Sequence, residues 1–215
     1  MSGRHRILSA GLGALAGATL STLAYAGNVI LGEAWLNDPN VTDATIANIP
    51  AAPADATFWE SSSPLNLVAN GGAYTLGDFI SSGGGGFITG SSNAGASLDN
   101  TFFAFLGLVT MIHGETITVT HDDGIQLQID GVLVVDSPKP TSAEATSFTW
   151  TGASGIYPFV MAYGECCGPP AVLYVDLPLT AIPEIPTWAM LAAGFAGLGF
   201  VALNAGRKKE ISIAA

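Results

Sequence analysis

Thr116-Ile117-Thr118-Val119-Thr120-His121-Asp122-Asp123-Gly124-Ile125-Gln126-Leu127-Gln128-Ile129-Asp130-Gly131-Val132-Leu133-Val134-Val135 is the stretch that decides the fold. Threonines alternate with Ile117 and Val119, then Gln126 and Gln128 alternate with Ile125, Leu127 and Ile129. A period of two puts apolar side chains on one face and polar ones on the other, so both stretches read as half-buried strands. Asp122-Asp123-Gly124 and Asp130-Gly131 have turn composition, and a β-branched run follows the second. The economical reading is two hairpins sharing a middle strand, a β-meander.

Working outward, residues 102–109 form an apolar strand candidate upstream, and 147–151, 157–163 and 171–177 are candidates downstream. Residues 27–100 are rich in Ala, Gly, Ser, Asn and Pro, with apolar clusters only at Phe58-Trp59, 65–68, 74–76 and Phe79-Ile80. Strands there must be short. Gly83-Gly84-Gly85-Gly86 is followed by no Lys-Ser/Thr and opens no helical pattern, so it reads as a loop rather than a phosphate cradle. No helical period appears between residues 27 and 180. The expected class is all-β, an antiparallel β-sandwich.

Both ends of the 215-residue chain read as targeting segments. Arg4, His5 and Arg6 precede an apolar run over 7–23 that ends in Ala24-Tyr25-Ala26, the pattern of a signal peptide (1–26) cleaved before Gly27. At the other end, Ile182-Pro183-Glu184-Ile185-Pro186-Thr187-Trp188-Ala189-Met190 leads into an apolar run to Leu203, followed by Arg207-Lys208-Lys209. As a transmembrane helix, 188–203 would be ~24 Å long against a bilayer core of ~30 Å. The basic cluster and the short tail 210–215 would stay cytoplasmic and leave domain 27–180 outside.

Charge narrows the partners. Of 17 acidic residues only Glu184 and Glu210 lie outside 27–180, leaving 15 there against a single cation, Lys139. A domain of formal charge −14 has no basic face with which to displace phosphate counterions, so nucleic acid is excluded as a partner. Neutral ligands such as sugars, and divalent cations, suit it better. With 49% hydrophobic and 11% charged residues the chain has the composition of a packed domain. The two cysteines, Cys166 and Cys167, are adjacent and supply neither a zinc knuckle nor a C-x-x-C redox pair. A vicinal disulfide ring presenting an apolar platform, a local loop brace and two free thiols are all open at this point.

Two resemblances rest on these residues. The segment 182–209 resembles the PEP-CTERM sorting signal of exopolysaccharide-producing Gram-negative bacteria: a Pro-Glu box (Pro183, Glu184, Pro186), Thr187-Trp188-Ala189-Met190, a Gly/Ala-rich apolar run and the basic cluster Arg207, Lys208, Lys209. The box reads Pro-Glu-Ile-Pro rather than Pro-Glu-Pro, and six residues follow Lys209. The resemblance implies passage through the inner membrane, processing near the box by an exosortase-type membrane protease, and a final place at the cell surface or outside the cell. Residues 114–131, together with Gly155-Ile156-Tyr157-Pro158-Phe159 and the closing stretch from Tyr163 to Leu173, resemble the protective-antigen domain family over about 103–177. That family is a β-sandwich found in toxins, beside glycosidase modules and in flocculin-type adhesins.

Sugar-binding members of that family hold Ca²⁺ with two consecutive aspartates, and Asp122 and Asp123 match those positions. They also use a later asparagine, whereas this chain has none between Asn100 and Asn204, so Glu165, Asp130 or loop carbonyls would have to take its place. In most members the same pair only shapes a turn. His5, His113 and His121 lack a partner at ligand spacing, and no H-E-x-x-H or G-x-S-x-G occurs. Asp122 and Glu165 as a glycosidase pair would need a defined separation across a cleft, and Trp35, Trp59 and Trp150 fit a core as well as a sugar platform. The expectation is an exported, non-catalytic surface or matrix protein that binds extracellular polysaccharide with Ca²⁺, the alternative being a purely structural surface protein without a small ligand. An ice-binding role, raised only by similar tails on some ice-binding proteins, is not expected.

Overall fold

The computed structural model describes residues 29–180 apart from Ser62. The signal segment with Ala24 and Ala26, the box with Pro183, Glu184 and Pro186, the apolar run 188–203 and the cluster Arg207, Lys208 and Lys209 lie outside the described residues. The elements follow in the order β1 (Ile30–Trp35), β2 (Ala56–Glu60), β3 (Leu65–Ala69), α1 (Leu76–Ser82), β4 (Gly86–Thr89), β5 (Thr101–Met111), β6 (Thr116–Asp122), β7 (Gly124–Ile129), β8 (Val132–Ser137), β9 (Glu144–Thr149), β10 (Gly155–Glu165) and β11 (Ala171–Val175). Among the described residues no helix is long and apolar enough to cross a membrane.

The strands form a seven-stranded sheet, ordered β4-β2-β1-β5-β10-β7-β8, and a four-stranded sheet, ordered β3-β11-β6-β9. Every pairing is antiparallel. Alternation places one face of β3 and of β11 inward: β3 buries Leu65, Leu67 and Ala69, and β11 buries Ala171, Leu173 and Val175. These join Phe58, Phe103, Phe105, Phe159 and Met161 of the larger sheet in one apolar core. Phe103 sits among the rings of Phe58 (6.3 Å), Phe79 (5.2 Å) and Tyr163 (5.8 Å). The run Phe102-Phe103-Ala104-Phe105 does not alternate because β5 is covered on both faces here. The segment after β1, with Val41 and Ala44, packs on the outer side against Trp35, Phe102, Ala104 and Ala162.

Residues 130–131 form the expected two-residue hairpin turn, with positive φ at Asp130 (51°) and Gly131 (76°) and Ile129 opposite Val132. The first expected hairpin is absent. β6 lies in the smaller sheet between β11 and β9, and β7 in the larger between β10 and β8, so residues 122–124 carry the chain from one sheet to the other. Phe79-Ile80 belongs not to a strand but to α1, whose buried face is Leu76, Phe79 and Ile80. Two turns are too short to show a helical period, but the start is encoded: the Thr75 side chain caps the helix by accepting from the Asp78 N–H. The Gly83-to-Gly86 run then turns α1 into β4.

The two ends of the described chain meet on one strand. Leu31 of β1 lies opposite Leu106 of β5, and the Thr180 N–H donates to the Leu108 carbonyl (3.0 Å).

At the end of β2, Glu60 is fully buried, and neither carboxylate oxygen has a hydrogen-bond partner among the described residues. The glycine turn closes directly over it: a Cβ at Gly83 or Gly85 would come within 2.5 or 2.4 Å of the carboxylate. Burial alone raises its pKa from 4.5 to about 8. The unfolded chain therefore ionises Glu60 above about 4.5 while the folded chain keeps it protonated, and stability falls as pH rises towards 8. Glu60→Gln is expected to flatten this slope and to gain on the order of a few kcal/mol over the native protein at pH 8. Thermal melts between pH 5 and pH 8 check it; an unchanged slope in the variant would refute the assignment.

Candidate functional site

Asp122 lies opposite Val172 of β11 in one sheet, and Gly124 opposite Gly164 of β10 in the other. Asp122 and Asp123 therefore sit at the seam, joined by a cis peptide bond, where the chain changes sheets. Two facing glycines let loops approach this end. A Cβ on Gly124 would fall 2.4 Å from the Pro138 carbonyl oxygen, and one on Gly164 would fall 2.3 Å from that of Val41. Gly124 thus serves close approach rather than a hairpin turn. The two loops are tied together by the Ala44 N–H donating to the Pro138 carbonyl (2.8 Å) and by Lys139 Nζ on Asp43 Oδ1 (2.7 Å). Lys139 hydrogen-bonds Asp43 and holds its carboxyl below the usual range.

Both aspartates are nearly buried, Asp122 at 8% and Asp123 at 4% exposure. Burial first, and then the charge of Asp123, raises the Asp122 pKa, opposed by a hydrogen bond from the Ala143 backbone and by His121. Asp123 Oδ2 accepts from the Cys166 N–H (2.9 Å). The Asp123 carbonyl lies 2.6 Å from His121 Nδ1, and since a carbonyl only accepts, Nδ1 carries the proton. His121 Nε2 faces Thr146 Oγ1 (3.4 Å) and Glu144 Oε1 (3.6 Å). The Asp122 carbonyl accepts from the Tyr163 hydroxyl.

Glu165 does not join the pair as a ligand. It is fully buried; its Oε1 accepts from the Tyr74 hydroxyl (2.6 Å) and its Oε2 lies 2.7 Å from the Tyr163 hydroxyl. Burial, opposed by the two phenols and reinforced by the aspartates, raises its pKa from 4.5 to about 8. The Tyr163 phenol is pushed well above its ordinary value, mainly by burial and then by Glu165. A carboxyl committed in this way is closed off as a solvent-facing acid or base, so the Asp122/Glu165 pairing across a cleft is not formed. Asp130 is no substitute either, since it lies in the turn at the far end of β7.

Cys166 and Cys167 form a vicinal disulfide beside this site. The Asp123 carboxylate and both sulfurs lie within 4.8 Å of one another, but disulfide sulfurs offer no thiolate, so of these three only Asp123 offers a charged ligand atom. Trp35 and Trp150 are 6% exposed and belong to the core. His113 is exposed and bonds the Gly152 carbonyl (3.0 Å), before the start of β6, whereas the pair lies at the end of that strand. Of Tyr74, Tyr163 and His121, which hold the site's backbone and Glu165, the last two lie in the stretches that resemble protective-antigen domains, but none was marked as a site residue, because their partners are set by the fold.

No family model matches the chain, and no curated protein sequence matches it. Its fold is similar to the crystal structure of the PA14 domain of the MpAFP antifreeze protein, at 21% identity and a TM-score of 0.53, covering 79% of this chain and 90% of that one. It is likewise similar to a PA14 sugar-binding domain from an RTX adhesin, at 19% identity and a TM-score of 0.51, covering 71% of this chain and 91% of that one. At these identities the likeness is one of fold.

The close approach at the seam gives a direct test. Gly164→Ala must push the Val41 backbone away and is expected to cost about 1–3 kcal/mol in urea unfolding. A change below about 0.5 kcal/mol, the usual range for an uninvolved surface position, would show that the loop is not held there.

Proposed function

We propose that the chain is an exported, non-catalytic surface protein whose sandwich binds carbohydrate through a Ca²⁺ ion held by Asp122 and Asp123. One observation carries this: two adjacent, nearly buried carboxyl groups share the seam, while Lys139, the sole Lys or Arg in 29–180, is engaged by Asp43. Like charges at close quarters in a weakly hydrated site are costly, and a divalent cation removes the cost. Ca²⁺ prefers hard oxygens and takes six to eight of them, so carbonyls, water and sugar hydroxyls would complete what the two aspartates begin. The resemblance of 114–131 to protective-antigen domains supports the reading, as does the fold likeness to a PA14 domain described as sugar-binding. Burial of Glu165 beneath two tyrosines supports a binding rather than a hydrolytic role.

Calorimetric titration of the protein with Ca²⁺ is expected to show one site that is lost in Asp122→Asn with Asp123→Asn. Glycan-array binding should depend on Ca²⁺ and vanish with chelator. Sugar binding that persists in chelator would move the ligand elsewhere, and no saturable ligand at all would favour a purely structural surface protein.

The sorting reading is part of the same proposal. An exosortase-type protease acting at Pro183, Glu184 and Pro186 would leave a mature chain ending near residues 182–187, free of the apolar run 188–203 and of Arg207, Lys208 and Lys209. Intact-mass measurement on protein from the producing cell envelope and medium checks this. A mature form retaining residue 215 would leave a membrane-anchored protein instead.

A further inference from the structure

We propose that Tyr74 and Glu165 are positioning residues for the Asp122–Asp123 pair, so that the first half of the chain shapes the ligand site without supplying a ligand. This inference rests on the Ca²⁺ reading above. Tyr74 lies between β3 and α1, fixed by its own carbonyl, which accepts from the Leu98 N–H (3.4 Å), and by the cap at Thr75 that begins α1. Its hydroxyl donates to Glu165 Oε1 across 91 residues of sequence. The other carboxylate oxygen, Oε2, lies 2.7 Å from the Tyr163 hydroxyl. That hydroxyl also meets the Asp122 carbonyl.

A phenol has one proton, yet two acceptors converge on Tyr163. Which of them its proton serves is thus set by where Glu165 Oε2 sits, and the orientation of the carboxyl is fixed at its other oxygen by Tyr74. The Tyr163 ring itself has no room to swing: it is fully buried and stacked on Phe79 of α1 at 5.9 Å and 11°. One residue beyond Glu165, the Cys166 N–H holds Asp123 Oδ2. Residues 163–166 therefore grip both aspartates, Asp122 by its carbonyl and Asp123 by its carboxylate. Without the Tyr74 hydroxyl, Oε1 is a buried acceptor lacking its donor, and the carboxyl regains one by turning away from its place beside Tyr163. The hydrogen bond from Tyr163 to the Asp122 carbonyl changes with it.

Groups behind a metal's own ligands commonly change affinity by 10–100-fold when removed. In the full chain, Tyr74→Phe is expected to weaken Ca²⁺ binding by about 10-fold and Glu165→Ala by at least as much. Glu165→Gln keeps an acceptor for Tyr74 and offers an N–H to the Tyr163 oxygen, leaving that hydroxyl to Asp122; it should stay within about threefold of the native affinity. Tyr157→Phe is the control, because it removes a phenol bonded to the Ala153 carbonyl, away from the pair, and it should leave affinity unchanged. Calorimetry with Ca²⁺ and thermal melts are run on all four variants. Should Glu165→Ala fail to fold, Tyr74→Phe and Glu165→Gln carry the test. A Tyr74→Phe protein with lowered melting temperature but native affinity would make the network purely structural and overturn the inference, as would loss in Glu165→Gln equal to that in Tyr74→Phe. Native protein that binds no Ca²⁺ would overturn the metal reading and this inference together, whereas native binding with unchanged Tyr74→Phe affinity would overturn the inference alone.

Discussion

The pairing of β5 with β10 is the constraint on which the other parts depend. Eleven residues of one strand lie opposite eleven of the other, from Met111 against Gly155 to Thr101 against Glu165. That ladder lines up Phe103, Phe105, Phe159, Met161 and Tyr163 on the core side. It fixes β1 on one flank and β7 on the other, and so assembles the larger sheet from strands near both ends of the described residues. Its far end delivers Tyr163 and Glu165 to the seam where Asp122 and Asp123 change sheets. Position at that seam is thus inherited from an apolar ladder, and the aspartates need not organise themselves.

Much of this was legible. Alternation marks β6 and β7, the two-residue Asp130-Gly131 turn marks the β7–β8 hairpin, and the apolar run 102–109 marks β5 as a strand. What composition did not carry was partnership. A two-residue joint between alternating strands has the same residues whether the strands pair or part, and Asp-Asp-Gly reads as a turn in either case. The difference lies with β9 and β11, which flank β6 and leave β7 to the other sheet. Likewise β1 to β4 are only four to six residues each, and α1 occupies seven residues, fewer than a periodic signal requires. Asp122 and Asp123 were visible as a pair, but Tyr74 was not, since its only distinction is a carboxylate 91 positions away.

The acidity of the domain has an inner counterpart. Glu60 and Glu165 are both fully buried carboxyls with pKa values raised to about 8, one with no partner among the described residues and one between two phenols. Burial is the first cause in each. They differ in what the fold does with them. Glu60 is sealed by a glycine turn that no side chain could replace, whereas Glu165 orders the hydroxyls around it. A buried polar group fully satisfied by its neighbours specifies one arrangement of the core, and a solitary one weakens it.

Because Val29 and Thr180 leave the domain beside the same strand, a pull along the chain enters and departs at nearly one place on β5. Tension then bears on the few hydrogen bonds that hold the start of β1 and the segment 177–180 to that strand. The rest of the sandwich hangs beside the line of force like a bead on a loop. The seam between the sheets lies at the Thr101–Glu165 end of the ladder, off that line, since the tether points are at Leu106 and Leu108.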